Sequence, residues 1–346
     1  GLGALSLPVL SMQTALPDAG HAPEESTARI AYDLITRGFG EGSNGPLVVV
    51  VDATSPDTLT ADTAAVTDQL TATPGVVMVT PPTVSPSGTT ALLQVVPATG
   101  PADPKTADLV NSIRDAVAGS SSATVSVTGF TAVGVDVSKK LADALPIYLL
   151  VVIGLSFVLL MLMFRSILVP VKATLGFLLT IGATFGIAVA VFQWGWLSST
   201  VGLSVPGPLL SFMPILIIGI LFGLAMDYEV FLVSRMREDY VHGASARDAT
   251  VSGFSHGARV VAAAAAIMIS IFAAFVFSED STIKSMGFGL ATGVAIDAFI
   301  VRMTLVPAAM SLLADRAWWL PGWLARLLPD RPVYCAPQGP GPAGAE

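Results

Sequence analysis

The chain has 346 residues, of which 53% are hydrophobic and only 12% charged, with three histidines and a single cysteine. A soluble domain carries about 25% charged residues, so this is the composition of a membrane protein. Cys335, alone in a Pro/Gly-rich tail, and the scattered His21, His242 and His256 exclude a disulfide framework and a thiolate or histidine metal centre. Up to Asp143 there are 14 acidic and 6 basic residues, and after it 11 of each, so the net charge of -8 falls on the first part. An acidic segment with no basic patch excludes nucleic acid as a partner, and no motif calls for a cofactor.

In chain order, GLGALSLPVL lacks an initiator Met and a charged leader segment, and residues 1–22 read as the end of a truncated membrane helix with its linker. Residues 23–140 read as a soluble domain. A helix is expected at Pro23–Gly38, led by Glu24 and Glu25, then a buried strand at Pro46–Ala53 from its β-branched run. Thr58–Thr73 spaces Leu59, Ala61, Ala65, Val66 and Leu70 by threes and fours, as a helix does. Val76–Thr80 and Thr90–Val96 read as strands separated by a turn, PPTVSPSG. Pro104–Ala118 is a helix with proline at its start and Gly119 past its end, and Thr124–Thr128 is the last strand. The order β-α-β-β-α-β is that of a ferredoxin-like split unit.

Residues 146–313 hold five apolar stretches: Pro146–Phe164, Leu168–Gln193, Leu209–Val233, Gly257–Phe277 and Met286–Leu313. Each is near the ~20 residues needed to cross ~30 Å of hydrocarbon. Arg165, the cluster Arg235, Arg237, Arg247 and Arg259, and finally Arg316, Arg326 and Arg331 all fall on one set of connections. The other two connections hold only Lys284, so the arginine-bearing side is expected to be cytoplasmic and the soluble domain extracytoplasmic. Lys139 and Lys140 run mildly against this rule. The five tryptophans fall at expected interfaces, and residues 314–346, with WWLPGWLARLL, read as a cytoplasmic interfacial piece and a disordered tail.

Two aspartates stand inside these spans. Asp227 lies eight residues before Arg235, about 12 Å inside the boundary at ~1.5 Å per residue, too deep for a short side chain to reach water. Such a residue costs roughly 2.5–3.5 kcal/mol on insertion scales and is functional by default. Gly219, Gly223 and Asp227 recur at every fourth position, as do Gly289, Gly293 and Asp297, so each strip is expected to pack against another helix. Tyr228 can donate a hydrogen bond to the Asp227 carboxylate. Arg302 has the depth to pair with Asp227, Glu229 or Asp297, although Glu229, about 200° round from Asp227, reads as a boundary charge. A buried carboxylate of this kind suits a proton site; the alternative is an ion pair that only locks helices.

FGLAMDYEVFLVSRMREDY resembles the signature of the MMPL (mycobacterial membrane protein large) family of the resistance–nodulation–division superfamily. FRSILVPVKATLGFLLTIGATFGIAVAVFQWGW and IKSMGFGLATGVAIDAFIVRMTLVPAAM resemble it too, so the likeness covers nearly the whole chain. It implies a proton relay at Asp227 and Tyr228, with Asp297, Arg302 and Glu229 as secondary polar partners. It also implies two homologous halves, of which this would be the second: an external porter domain and a five-helix bundle in a bacterial inner membrane. The partners implied are protons, a lipid or hydrophobic substrate and the N-terminal half, and the activity is export rather than enzymatic catalysis. An aspartyl-protease dyad of Asp227 and Asp297 would need a different motif from AMDYE and AIDAF. A sterol- or lipid-sensing module without transport is the remaining alternative.

The arginine asymmetry makes a testable statement about orientation. In a Cys335→Ser background, Ser87→Cys is expected to react with a membrane-impermeant thiol reagent in intact cells, and Ala244→Cys only after lysis. The reverse pattern would invert the topology.

Overall fold

The structure is a computed structural model and describes residues 1–118, 122–203 and 205–327; the expected tail beyond 327 lies outside the described residues. The chain forms two compact units, each assembled from three segments. The first comprises Gly1–Tyr148, Ile181–Leu221 and Ile267–Val294; the second comprises Leu149–Thr180, Phe222–Ala266 and the chain from Ala295 on.

The first unit contains an antiparallel sheet. Its strands are β1 (Leu47–Asp52), β2 (Val76–Val79), β3 (Thr83–Val84), β4 (Thr90–Pro97) and β5 (Thr124–Thr128). They lie in the order β2-β4-β1-β5, with β3 also on β4. The short β3 occupies part of the stretch expected as a turn, because Thr83 and Val84 pair with Leu92 and Ala91. The period of two along a strand sends Leu47, Val49 and Val51 to one face, where they are fully buried with Leu93 and Val95. Helices α2 (Pro56–Ala72) and α3 (Pro104–Val117) cover that face with Val66, Leu70, Val110 and Ile113. Each such side chain contributes about 1.5–3 kcal/mol by leaving water. Arg114 on α3 holds Asp136 through two hydrogen bonds of 2.6 and 2.8 Å. That carboxylate raises the guanidinium above its ordinary value.

Helix α1 (Thr27–Phe39) starts at Ser26, whose side chain accepts from the Arg29 amide, four residues inside the expected start. Its packing is inverted. The polar side faces inward: Asn44 donates to Thr36 Oγ1 at 2.8 Å and to the Tyr32 carbonyl at 3.3 Å, and Arg29 donates to the Gly20 carbonyl at 2.7 Å. Ile30, Leu34 and Ile35 point outward and are exposed, as is Phe39 at the helix end.

Also in this unit, residues 1–11 form two short helical turns, Leu2–Leu5 and Leu7–Ser11, against the second span. Gly186 leaves no room for a Cβ beneath the Leu5 carbonyl, and Gly182 sits against Ser6. A two-residue parallel bridge joins Thr14–Ala15 to Leu209–Leu210. The buried Lys284 donates to the Gly202 carbonyl at 2.5 Å, closing the connection that contains Trp194 and Trp196.

Among the described residues five helices are long and apolar enough to cross a membrane: Phe130–Phe164, Leu168–Gln193, Met213–Val241, Gly257–Val276 and Ser281–Trp318. The first is sixteen residues longer at its start than the apolar run, because the helix begins at Phe130 and passes through Pro146. The third starts at Met213 rather than Leu209 and continues through its arginines to Val241. The fifth widens into a π-helix at Ile296–Leu305, and the second does so at Val189–Gln193.

Burial, reinforced by the Asp18 and Glu41 carboxylates, pushes the Tyr32 hydroxyl up to about 12. The unfolded phenol ionises near 10, so between about pH 10 and 12 the unfolded chain binds fewer protons and the fold loses stability as pH rises. Alkaline unfolding is therefore expected to be less steep in Tyr32→Phe than in the wild type. Identical profiles would mean that Tyr32 titrates as freely in the fold as in the unfolded chain.

Candidate functional site: a charge cluster within the second unit

The second unit gathers four ionisable side chains from three spans. Glu229 on the third span, only 1% exposed, accepts on both oxygens: from Lys172 Nζ at 2.8 Å and from Arg302 at 3.1 Å. Arg302 on the fifth span also donates through Nε to Asp297 Oδ2 at 2.7 Å. The order is Lys172–Glu229–Arg302–Asp297, and the two cations and two carboxylates sum to zero when all are ionised. Alternation of sign lets the cluster survive away from water, where an isolated charge would cost several kcal/mol.

Local backbone geometry builds the last pair. In an α-helix, residues five apart lie about 140° from one another. In a π-helix they stack, since its hydrogen bonds run from i to i+5. Asp297 and Arg302 are five apart and lie within the π-helical stretch. Neither sequence spacing nor composition carries a sign of that widening.

The third span presents two faces. Ile217, Leu221, Ala225 and Glu229 follow one another at every fourth position and are all buried. Gly289 of the fifth span packs on Ile217 and Gly293 on Leu221, with no space for a Cβ at either glycine. The opposite face carries the other glycines. Gly219 lies beside the Tyr148 hydroxyl, whereas Gly223 has open space before it and Asp227 is exposed. The expectation that Gly223 and Asp227 meet another helix is thus corrected for the described residues, and the reason is geometric: the fifth span's glycines engage the side that carries Ile217 and Leu221. Tyr228 is half-buried between the two faces, its ring centroid 6.0 Å from the Arg302 guanidinium carbon.

Arg302 thus meets Glu229 and Asp297 and makes no ion pair with Asp227. Glu229, expected at the boundary, is instead the centre of the cluster. Lys172 was missed altogether, although a signal existed. Lys172, Gly176, Thr180 and Thr184 recur at every fourth position of an apolar span and mark a polar strip. Thr180 is buried and donates to the Gly176 carbonyl at 3.1 Å. Asp297 Oδ1, also buried, accepts no hydrogen bond in this arrangement.

Five apolar spans, three of which contribute to a neutral cluster of alternating charges, define a polytopic membrane protein with ionisable groups inside its spans. The chain belongs to the MMPL family, whose model matches residues 21–333. It is 46% identical over 327 residues to Membrane protein YdfJ of Bacillus subtilis, covering 94% of this chain and 45% of that one. It is 37% identical over 300 residues to the mycolic acid-containing lipids exporter MmpL11 of Mycolicibacterium smegmatis, covering 84% of this chain and 31% of that one. In fold it is similar to the crystal structure of a heavy metal efflux pump, with a TM-score of 0.51 at 14% identity, over 83% of this chain and 37% of the pump. The chain therefore spans less than half the length of these relatives.

Removing one member of the cluster strands its neighbours. Glu229→Gln leaves two cations facing each other and is expected to destabilise the bundle by roughly 3–5 kcal/mol, the cost of breaking a buried pair. Lys172→Met combined with Glu229→Gln is expected to recover part of that loss. Thermal melting in detergent checks both, and an unchanged melting point for Glu229→Gln would show the cluster to be solvated.

Proposed function

We propose that this chain is the second half of a proton-motive-force-driven exporter of lipids or other hydrophobic compounds. The observation that carries the reading is the Lys172–Glu229–Arg302–Asp297 cluster, four charges placed where a purely structural bundle would hold leucine or phenylalanine. In membranes such groups mark proton and ion pathways. The export relative named above supports the substrate class.

In this reading Asp227 and Tyr228 are the proton relay. Asp227 stands two residues from Glu229, so a change in its charge is felt by the cluster through Tyr228 and Arg302. The open face bearing Gly223 and Asp227 is where a homologous first half would close over the carboxylate and desolvate it. Desolvation in one state and pairing in another would make the proton's residence depend on conformation. Each unit of difference supplies about 1.4 kcal/mol, and a proton moving through 100 mV adds roughly 2.3 kcal/mol. These magnitudes bias a two-state bundle. The sheet and its helices, in the ferredoxin-like strand order, serve as an extracytoplasmic porter domain that handles the substrate.

In the full-length protein reconstituted in vesicles, Asp227→Asn is expected to abolish gradient-driven export of a hydrophobic probe while insertion stays normal. Tyr228→Phe, which keeps the ring and removes the hydroxyl, is expected to slow export. Full gradient-dependent export by Asp227→Asn would return Asp227 to a structural role.

A further inference from the structure

Helix α2 has an outer face unlike that of an ordinary surface helix. Between Pro56 and Ala72 there is no lysine, arginine or glutamate, and exposed positions hold short side chains such as Thr60, Ala64 and Asp68. A solvated helix face normally carries charged and polar side chains in plenty. Here the short ones leave a groove of about 580 Å³ between the helix and the β3–β4 hairpin, with Pro82 and Val84 on its far wall. That volume falls within the ~300–1,000 Å³ of small-molecule sites. At the Pro56 end the hairpin turn comes over the helix: Gly88 has φ +75°, and a Cβ built on it would stand 3.5 Å from the Pro56 Cβ.

The lining grades from apolar to polar along the helix, with Pro56 and Leu59 first and Thr63, Thr67 and Asp68 further on. Thr67 donates its hydroxyl hydrogen to the Thr63 carbonyl at 2.8 Å. Thr63 itself is 5% exposed, and its hydroxyl makes no hydrogen bond among the described residues. A buried hydroxyl without a partner is costly and calls for an explanation. A ligand carbonyl that accepts from Thr63 supplies one. Charge decides the rest. Asp68 is the ionisable side chain of the lining, which has no lysine or arginine among the described residues. The chain around it is acidic as well, with 14 acidic and 6 basic residues up to Asp143. A phosphate or carboxylate headgroup would meet repulsion here, whereas an uncharged head with a hydroxyl can donate to Asp68.

We propose that the groove between α2 and β3 is a binding site for a single-chain, uncharged amphiphile. The alkyl chain lies along Leu59, Pro82 and Val84, the carbonyl accepts from Thr63, and a hydroxyl of the head donates to Asp68. The site selects by charge: it admits a neutral lipid and rejects the same chain on an anionic head. It rests on the exporter reading for its purpose, as a station for substrate on the α/β domain, though not for its chemistry.

The test uses the full-length protein in lipid vesicles and two probes with the same chain, a monoacylglycerol and its phosphate ester, each with a photoreactive diazirine at the chain end. The neutral probe is expected to label residues 56–68 and 82–88, read by mass spectrometry of the digested protein, and the phosphate ester is not. Ala64→Trp fills the groove from an exposed position and is expected to abolish this labelling. Thr63→Val keeps the volume without the hydroxyl and is expected to weaken binding of the neutral probe about three- to tenfold, the worth of one hydrogen bond. Thr60→Lys adds a cation to the groove and is expected to admit the phosphate ester. Labelling only elsewhere, labelling that ignores Ala64→Trp, or equal labelling by both probes overturns the proposal. So does Ala64→Cys, in the Cys335→Ser background, if it resists a soluble maleimide before probe is added, because protein then covers the groove. Gradient-driven export of the neutral probe is measured on the same vesicles. Labelling as expected where nothing is exported upholds the groove and sinks the exporter reading, and export without labelling of the groove sinks the groove alone.

Discussion

Glu229 is the residue on which the second unit depends. A carboxylate 1% exposed is untenable alone in a low-dielectric interior, and its two oxygens are satisfied by cations from two different helices. Those two hydrogen bonds therefore fix three helices to one another at a common depth. Arg302 is in turn placed by the π-helical turn, which swings it beneath Asp297 without releasing Glu229. The same constraint explains why the third span turns its Ile217–Glu229 side inward. A helix can bury one face deeply, and the face holding a charge that must be paired takes precedence over a face lined with glycine.

The sheet and its covering helices were largely legible because their signals are local. β-Branched runs, Pro104 and the alternation in Thr124–Thr128 report on neighbours within a few residues, and element limits fell within a few positions. The exceptions have local causes as well: β3 forms only because β4 offers an edge, and the first span starts early because the helix runs unbroken from Phe130 into the apolar part. Apolar length alone identified all five spans.

The site was half legible. That ionisable residues sit within the spans is a matter of counting, and Asp227, Glu229, Asp297 and Arg302 were all named on that basis. Which of them meet was not legible, since pairing depends on rotation about each helix axis. A stretch of ten π-helical residues shifts that rotation in a way no periodicity reveals. Reading Gly219–Gly223–Asp227 as a packing strip assumed that glycine faces inward. Gly289 and Gly293 do pack this way, against the smooth Ile217–Leu221 surface, and they have no need of a matching glycine strip across from them. Lys172 escaped because a lysine four residues inside a span resembles a boundary residue unless its partner is known.

Helix α1 carries a consequence for anyone handling the α/β domain as a separate piece. Its inverted packing puts Ile30, Leu34 and Ile35 in water while Tyr32 and Thr36 are occupied inside. What keeps such a surface dispersed is electrostatic repulsion, and the region up to Asp143 has 14 acidic residues against 6 basic. That repulsion shrinks in salt, over about 8 Å at physiological ionic strength, and fades as carboxylates take up protons in mild acid. Colloidal behaviour, more than folding, then sets the buffer in which the piece can be concentrated: near neutral, low in salt, and with a mild detergent to occupy the greasy stripe.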